Sequence, residues 1–438
     1  MRPPPYLHRL QPPRRAGRRA SALAAILAVA ACGAPSASRP VVNGQTVIPI
    51  DPNRPGDALF SDALTLYRKA QSEQTAAIAA RKGGDAATAM TDFASSVSDY
   101  GLARDQFDLL RNDASLCPSV SIRCDNAAYL AGRCSYERGM IEADQASLIP
   151  DATLLPASEA SLADSQSRLD RMLSDFPSSA FVDSADYFDG RARFELTQRF
   201  AIGSYAAAEP FFERAYGANP TGTWADNALY YDGRTEFEAG YAIVNAAAGA
   251  GTPLIPASAD YATARGWLDQ AIGALAAVPA RFPASSYLDN AAYFRGRAWL
   301  EKPTPGGTSD TERIANLGAS IAVLGSVIGM TSSPYLPGAR YWRGRAHYDL
   351  SFHRTTQPEI DADLDLALTD FHAVAATSPW QPHALEWAVK SWVRKADLTG
   401  ACGEYAAMAT AYPLPNVYTA RAQTALDTWL TASSLTCP

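Results

Sequence analysis

Four of the five histidines fall close together, at His347, His353, His372 and His383, and clustered imidazoles are the material of transition-metal sites. Their spacing is not the i, i+4 pair that one helix face offers to a metal, so no metal site is expected. Asp361, Asp363 and Asp365 alternate in the manner of a calcium loop, but they are read as preceding a helix and favouring its positive end. The run Cys117-x6-Cys124-x9-Cys134 fits no common zinc spacing and has no histidine nearby. No phosphate-binding loop, dinucleotide fingerprint, G-x-S-x-G elbow or H-E-x-x-H pair occurs. Neither catalysis nor a cofactor is therefore expected.

A different chemistry lies in arginines that recur in one setting. Five segments share a pattern: NAAYLAGRCSY from Asn126, SADYFDGRARF from Ser184, NALYYDGRTEF from Asn227, NAAYFRGRAWL from Asn290 and, more loosely, GARYWRGRAHY from Gly338. A sixth, HALEWAVKSWV from His383, keeps the framework but has Val389 for the glycine and Lys390 for the arginine. A tyrosine stands three residues before each glycine, an arginine directly after it, and in most copies an aromatic four after it. On a helix these positions share one face. They comprise Tyr129 and Arg133; Tyr187, Arg191 and Phe194; Tyr230, Arg234 and Phe237; Tyr293 and Arg297; Tyr341 and Arg345. Two roles fit the arginines: pairing with acids on adjacent helices, or holding a ligand's carboxylate in a planar two-bond fork.

The elements that carry this face can be read from their borders. In the first four copies Asp125, Asp183, Asp226 or Asp289 stands seven residues before the glycine, as expected at a helix start, where a carboxylate accepts from unpaired N–H groups. A second half-motif precedes each segment. Ser165, Leu169 and Met172 lie 12, 8 and 5 residues before Pro177, as do Ala208, Phe212 and Ala215 before Pro220. The same offsets relate Ala271, Leu275 and Val278 to Pro283, and Ala367, Phe371 and Val374 to Pro379. Those positions lie on one face of a helix that ends at proline. The recurring glycines at 132, 190, 233, 296 and 344 are unfavourable inside a helix, which predicts a neighbouring helix passing close to each.

Small-x3-aromatic-x2-small-x4-Pro followed by A-x-Y-aromatic-x-G resembles the tetratricopeptide repeat. The phrases DFPSS (Asp175–Ser179) and RFPAS (Arg281–Ser285) are similar to the subtype found in periplasmic lipoproteins and coordinators of the BamD and CpoB type. The resemblance covers about residues 57–412 and departs in its long loops and in the +4 aromatic. It implies an all-α solenoid of about six to seven helical pairs within residues 57–438. An early pair near 57–81 and 85–111 and a last helix near 415–432 would cap it. In such arrays the first helix of each pair lines a concave groove, so the resemblance implies that the tyrosine–arginine face contacts peptide ligands.

The amino terminus is expected to be an address. Residues 1–31 contain six arginines and no acid, with ALAAILAVAA over Ala22–Ala31, too short to span a bilayer permanently. Val29-Ala30-Ala31-Cys32 resembles the lipobox of bacterial lipoproteins, which implies acylation of Cys32, and Gly33 after it implies the outer membrane facing the periplasm. Residues 32–56 are rich in proline, serine and glycine and read as a tether. The chain carries 38 basic and 45 acidic residues, for a net charge of −7. Loss of the leader would make it more acidic, which argues against nucleic acid and anionic lipid as ligands, the lipid anchor apart. Of the remaining cysteines, Cys134 reads as a small buried residue, Cys117 and Cys124 flank a loop, and Cys402 and Cys437 staple the tail, giving two disulfides in an oxidising compartment.

The expected molecule is a lipid-anchored periplasmic scaffold that binds envelope proteins or peptides in outer-membrane protein assembly or envelope coordination. A glycan- or nutrient-binding lipoprotein of the SusD-like type is the alternative.

Overall fold

The computed structural model describes residues 41–42, 45–46, 55–113, 116, 122–149, 151–250, 254–305 and 310–437. Cys32, Cys117 and the leader lie outside these. Within the expected tether, Val41–Val42 and Gln45–Thr46 pair as antiparallel two-residue strands β1 and β2. All other regular structure among the described residues is helical, with fifteen α-helices. None of them is long and apolar enough to cross a membrane.

The described residues divide into two compact units, one up to Thr235 and the other from Glu236, with the break inside one helix. The N-terminal unit holds α1 (Pro55–Lys82), α2 (Ala86–Asn112), α3 (Ile122–Ala146), α4 (Leu154–Asp175), α5 (Val182–Phe200) and α6 (Glu209–Ala218). Helix α7 (Ala225–Gly249) contains the division. The C-terminal unit continues with α8 (Ala259–Arg281), α9 (Leu288–Glu301), α10 (Asp310–Gly329), α11 (Leu336–Leu350) and α12 (Gln357–His372). It ends with α13 (Gln381–Arg394), α14 (Leu398–Ala411) and α15 (Val417–Ser433). Helices within a unit pack on their sequence neighbours, and alternate helices also touch, which is the connectivity of stacked helical hairpins. The capping pair and the last helix form within two residues of their expected limits.

The motif helices α3, α5, α7 and α9 begin one to three residues before the expected aspartate, which therefore sits in the first turn. Its Oδ1 accepts from the next N–H in every copy: Asn126 on Asp125 at 2.8 Å, Ser184 on Asp183 at 2.7 Å, Asn227 on Asp226 at 2.9 Å and Asn290 on Asp289 at 2.9 Å. The second oxygen ties the helix to the following turn, accepting from Ser179 Oγ at Asp125 (2.5 Å) and from Asn219 Nδ2 at Asp183 (3.0 Å). One carboxylate thus starts a helix and fixes the next hairpin against it.

Four of the five recurring glycines mark close approach, as their position predicted. A Cβ at Gly132 would lie 2.6 Å from Leu169 Cγ, at Gly190 3.0 Å from Phe212, at Gly296 2.6 Å from Leu324 Cγ and at Gly344 2.6 Å from Phe371. Leu169, Phe212 and Phe371 are the large residues of the proline-ended half-motif, so the two half-motifs are the two sides of one contact. Small hydroxyls exploit the same proximity: Ser165 Oγ donates to the Gly132 carbonyl at 2.9 Å and Ser320 Oγ to that of Gly296 at 2.8 Å.

One expectation fails here. Asp361, Asp363 and Asp365 do not precede a helix, because α12 already starts at Gln357 with a proline in its first turn. Pro358 fits a position whose N–H would be unpaired anyway, and the aspartates lie further along, engaged by Gln357, Arg354 and Lys395 respectively.

Candidate functional site

The tyrosine–arginine face of a motif helix is covered by an aromatic residue from the start of the following repeat. In α5, Arg191 is fully buried. It donates through Nη1 to Tyr187 Oη four residues earlier (3.1 Å) and through Nη2 to Glu195 Oε1 four residues later (3.0 Å). Its guanidinium lies 3.8 Å from the Tyr231 ring centroid. Burial alone would push the Glu195 carboxyl up, yet Arg199 and Arg191 hold it down at about 2. The ion pair is therefore fully charged inside the unit, where a lone charge of either sign would be costly.

The same arrangement recurs. Arg133 of α3 faces Tyr129 Oη at 3.4 Å and Glu137 at 3.8 Å, with its guanidinium 4.7 Å from the Phe188 ring. Arg297 of α9 lies 4.5 Å from the Trp342 ring and 4.8 Å from that of Phe237. Glu301 follows Arg297 by one turn, and burial raises its pKa despite Arg297 and Arg345. A planar, weakly hydrated guanidinium is suited to such a stack of rings. Arg133 and Arg191 thus pair with a glutamate of their own helix, and bridging to acids on adjacent helices is seen at other arginines, such as Arg193 with Asp170 at 2.7 Å, Arg214 with Asp186 at 2.7 Å and Arg343 with Asp370 at 2.6 Å.

This geometry changes the expectation of a peptide groove over the face. Tyr129, Tyr187, Phe194, Tyr230, Arg234 and Phe237 are buried, as are Tyr293, Arg297 and Tyr341. They are packed between helices and present almost no surface to a ligand. The physical reason is a set of residues that the sequence reasoning passed over. Nine residues before the glycines at 190, 233, 296 and 344, and before Val389, stands an aromatic: Phe181, Trp224, Tyr287, Tyr335 and Trp380. Phe181, Trp224, Tyr335 and Trp380 each set a ring against the tyrosine of the preceding motif helix. Tyr129 and Phe181 stack at 5.5 Å, Tyr187 and Trp224 at 4.9 Å, and Tyr341 and Trp380 at 5.1 Å between centroids. Five residues after each glycine stands an acid, Glu137, Glu195, Glu238, Glu301 or Asp349. Both offsets were visible in the sequence as recurrences; what they meant depended on which side each residue faces.

The face opens beside α13. Arg345 and Lys390 are partly buried, as Arg133 is in α3, and Phe352 beyond them is 54% exposed. Tyr348 on α11, Phe352 in the turn after it, Trp387, Lys390 and Arg394 on α13, and Ala425 on α15 border a shallow pocket of about 420 Å³. The guanidinium of Arg345 lies 3.6 Å from the Trp387 centroid, and Lys390 Nζ lies 4.2 Å from it.

The remaining candidates separate. Among the described residues no histidine belongs to a group of three or more ligand atoms within mutual reach. His347 is buried near Asp363, and His372 pairs with Glu404 at 2.8 Å. His383 packs 3.9 Å from the Tyr418 ring. Cys402 and Cys437 form the expected disulfide, across 35 positions of sequence. Cys124 is also disulfide-bonded, while Cys117 lies outside the described residues. Cys134 is buried and free.

No protein-family model matches the chain, and neither does any curated protein. Among solved structures the chain is similar to a tetratricopeptide repeat protein from Parabacteroides merdae ATCC 43184. The TM-score is 0.37 and the identity 10%, over 82% of this chain and 99% of that one.

Proposed function

We propose that this protein is a lipid-anchored scaffold of the bacterial envelope, fixed through Cys32 to the outer membrane on its periplasmic side, that binds other envelope proteins and catalyses nothing itself. The observation that carries this reading is the contrast along the repeated face. Most tyrosines and arginines of the face are spent on internal packing, whereas beside α13 the exposed Phe352 ring and the partly buried Trp387, Lys390 and Arg394 leave aromatic and cationic groups at the surface. The lipobox-like VAAC ending at Cys32 and the proline-rich segment after it support anchoring and reach. The DFPSS and RFPAS phrases support the BamD and CpoB subtype, and with it a role in outer-membrane protein assembly or envelope coordination.

Two measurements test the reading together. Labelled palmitate should enter the wild type and not Cys32→Ala. A photo-crosslinking amino acid in place of Phe352 should capture one defined envelope protein in intact membranes, and the same residue in place of Leu109, exposed in the N-terminal unit, should not. Palmitate retained in the alanine variant, or crosslinks equal at the two positions, would overturn it. The SusD-like alternative draws on the exposed aromatic floor of the same pocket, since sugars stack on such rings.

A further inference from the structure

The open pocket in the C-terminal unit has a charge pattern that selects its occupant, and that selection rests on the scaffold function proposed for the chain. Its floor is aromatic. Tyr348 meets Trp387 edge-on at 5.0 Å and Phe352 edge-on at 5.3 Å between centroids. Cations sit over this floor: Arg394 at 3.5 Å from the Phe352 centroid, with Arg345 and Lys390 over Trp387. The pocket lining holds two cations and no carboxylate.

Compensation of these charges is incomplete. Lys390 has Glu386 at 2.6 Å. Arg394 is held only by neutral acceptors, the Ser351 hydroxyl at 2.7 Å and the Ser351 carbonyl at 2.9 Å. Arg345 donates to Tyr341 Oη at 3.4 Å, with Asp349 and Glu301 acting on it from further away, and among the described residues neither arginine has a carboxylate within ion-pair distance. Arg421, exposed on the neighbouring α15, adds another positive charge. Nearby His383 registers this surplus: burial first, then Arg421 and Arg345, hold its pKa down at about 4. All this sits on a chain whose net charge is −7, so an acidic partner is repelled elsewhere and drawn to this patch.

We propose that this pocket docks an extended acidic segment of a partner protein, which inserts one apolar side chain against Phe352 and Trp387 and lays its carboxylates on Arg394, Lys390 and Arg345. Guanidinium groups stacked on rings keep their N–H edges turned outward, where a carboxylate takes two parallel hydrogen bonds. An apolar anchor covers the exposed Phe352 ring, and a flat aromatic–arginine patch of this kind is the usual composition of a binding hot spot. A neutral glycan would use the rings and leave the charge uncompensated.

The test uses the full chain and fluorescein-labelled octapeptides read by anisotropy. The acidic probe has the sequence EDEFDEDG. One control replaces every carboxylate by its amide (QNQFNQNG), and another replaces the phenylalanine by serine. The acidic probe should bind at least tenfold more tightly than either control and weaken as salt is raised. Arg394→Glu and Phe352→Ser should each weaken it at least tenfold. Phe352→Ser, a change at an exposed side chain, should leave the melting temperature unchanged and so excludes unfolding as the cause. Equal binding of the amide control, wild-type affinity in both variants, or displacement of the probe by maltohexaose would overturn the proposal. If the peptides fail to bind while a crosslinker at Phe352 still captures one envelope protein, this inference falls and the scaffold reading stands. If both fail, both fall.

Discussion

The glycine contacts make a test whose sign can be worked out in advance. In α9 a Cβ on Gly296 would sit 2.6 Å from Leu324 Cγ, 2.8 Å from its Cδ2 and 3.4 Å from its backbone nitrogen. The first of these atoms is branched and close to the α10 backbone, so it cannot swing aside as the end of a long side chain would. Gly273, on the exposed side of α8, would meet nothing within 4 Å. Alanine gains about 1 kcal/mol over glycine inside a helix, and overpacking a filled contact costs about 1–3 kcal/mol. Gly273→Ala should therefore stabilise by about 1 kcal/mol, and Gly296→Ala should come out between about 0 and 2 kcal/mol destabilised. For a unit of this size each kcal/mol moves the melting temperature by about 2–4 °C, so scanning calorimetry or circular dichroism resolves the two. The decisive experiment adds Leu324→Ala. With Cγ gone, the alanine at 296 should become neutral or stabilising relative to that background, a coupling of opposite sign to its effect in the wild type. Gly296→Ala stabilising as much as Gly273→Ala, or acting identically with and without Leu324, would refute the close-approach account.

Three further outcomes are expected. Arg191→Met removes one member of a buried ion pair and leaves the Glu195 carboxylate with Arg199 alone, so urea titration should show a loss of about 3–5 kcal/mol; a loss below about 1 kcal/mol would mean that the pair is not needed. Asp232 is pushed up to about 7 by burial, with Glu209 and Glu213 adding to the effect. Its folded form keeps a proton that the unfolded chain releases near pH 4, and stability is lost as pH rises from about 4 to about 7. Asp232→Asn should raise the melting temperature at pH 8 and leave it unchanged near pH 4, and an equal effect at both would contradict that origin. Reduction of the Cys402–Cys437 bridge, which spans 35 positions, should destabilise the last helices by about 3–4 kcal/mol in the chain-entropy model, read as faster hydrogen exchange confined to α14 and α15.

The helical repeat was legible because its strongest determinants are local in sequence. An aspartate that starts a helix and a proline that ends one act through the backbone within a turn of themselves, so Asp183 and Pro177 carry their meaning without knowledge of any partner. Gly190 was legible for a related reason: its cost in a helix needs an explanation, and close approach is the general one. Asp361, Asp363 and Asp365 show the limit of such reading, since an alternating run of acids suits a helix start or its interior equally, and the proline at 358 decided between them. The disulfide between Cys402 and Cys437 was open to the sequence as one pairing among several.

By itself, then, the sequence determined the helices, their order, the register of the two half-motifs and the side chains that share a face, because all of these follow from 3.6-residue periodicity and from end groups. Only the tertiary structure decided whether that face is a surface or an interior. An arginine on a helix has the same spacing whether its guanidinium points to solvent or lies under the next ring. The outcome depends on Phe181, Trp224 and Trp380, which belong to the start of the following repeat and close over Tyr129, Tyr187 and Tyr341. Beside α13 Lys390 keeps part of its surface and Phe352 is 54% exposed, so the framework that elsewhere serves packing there borders an open pocket.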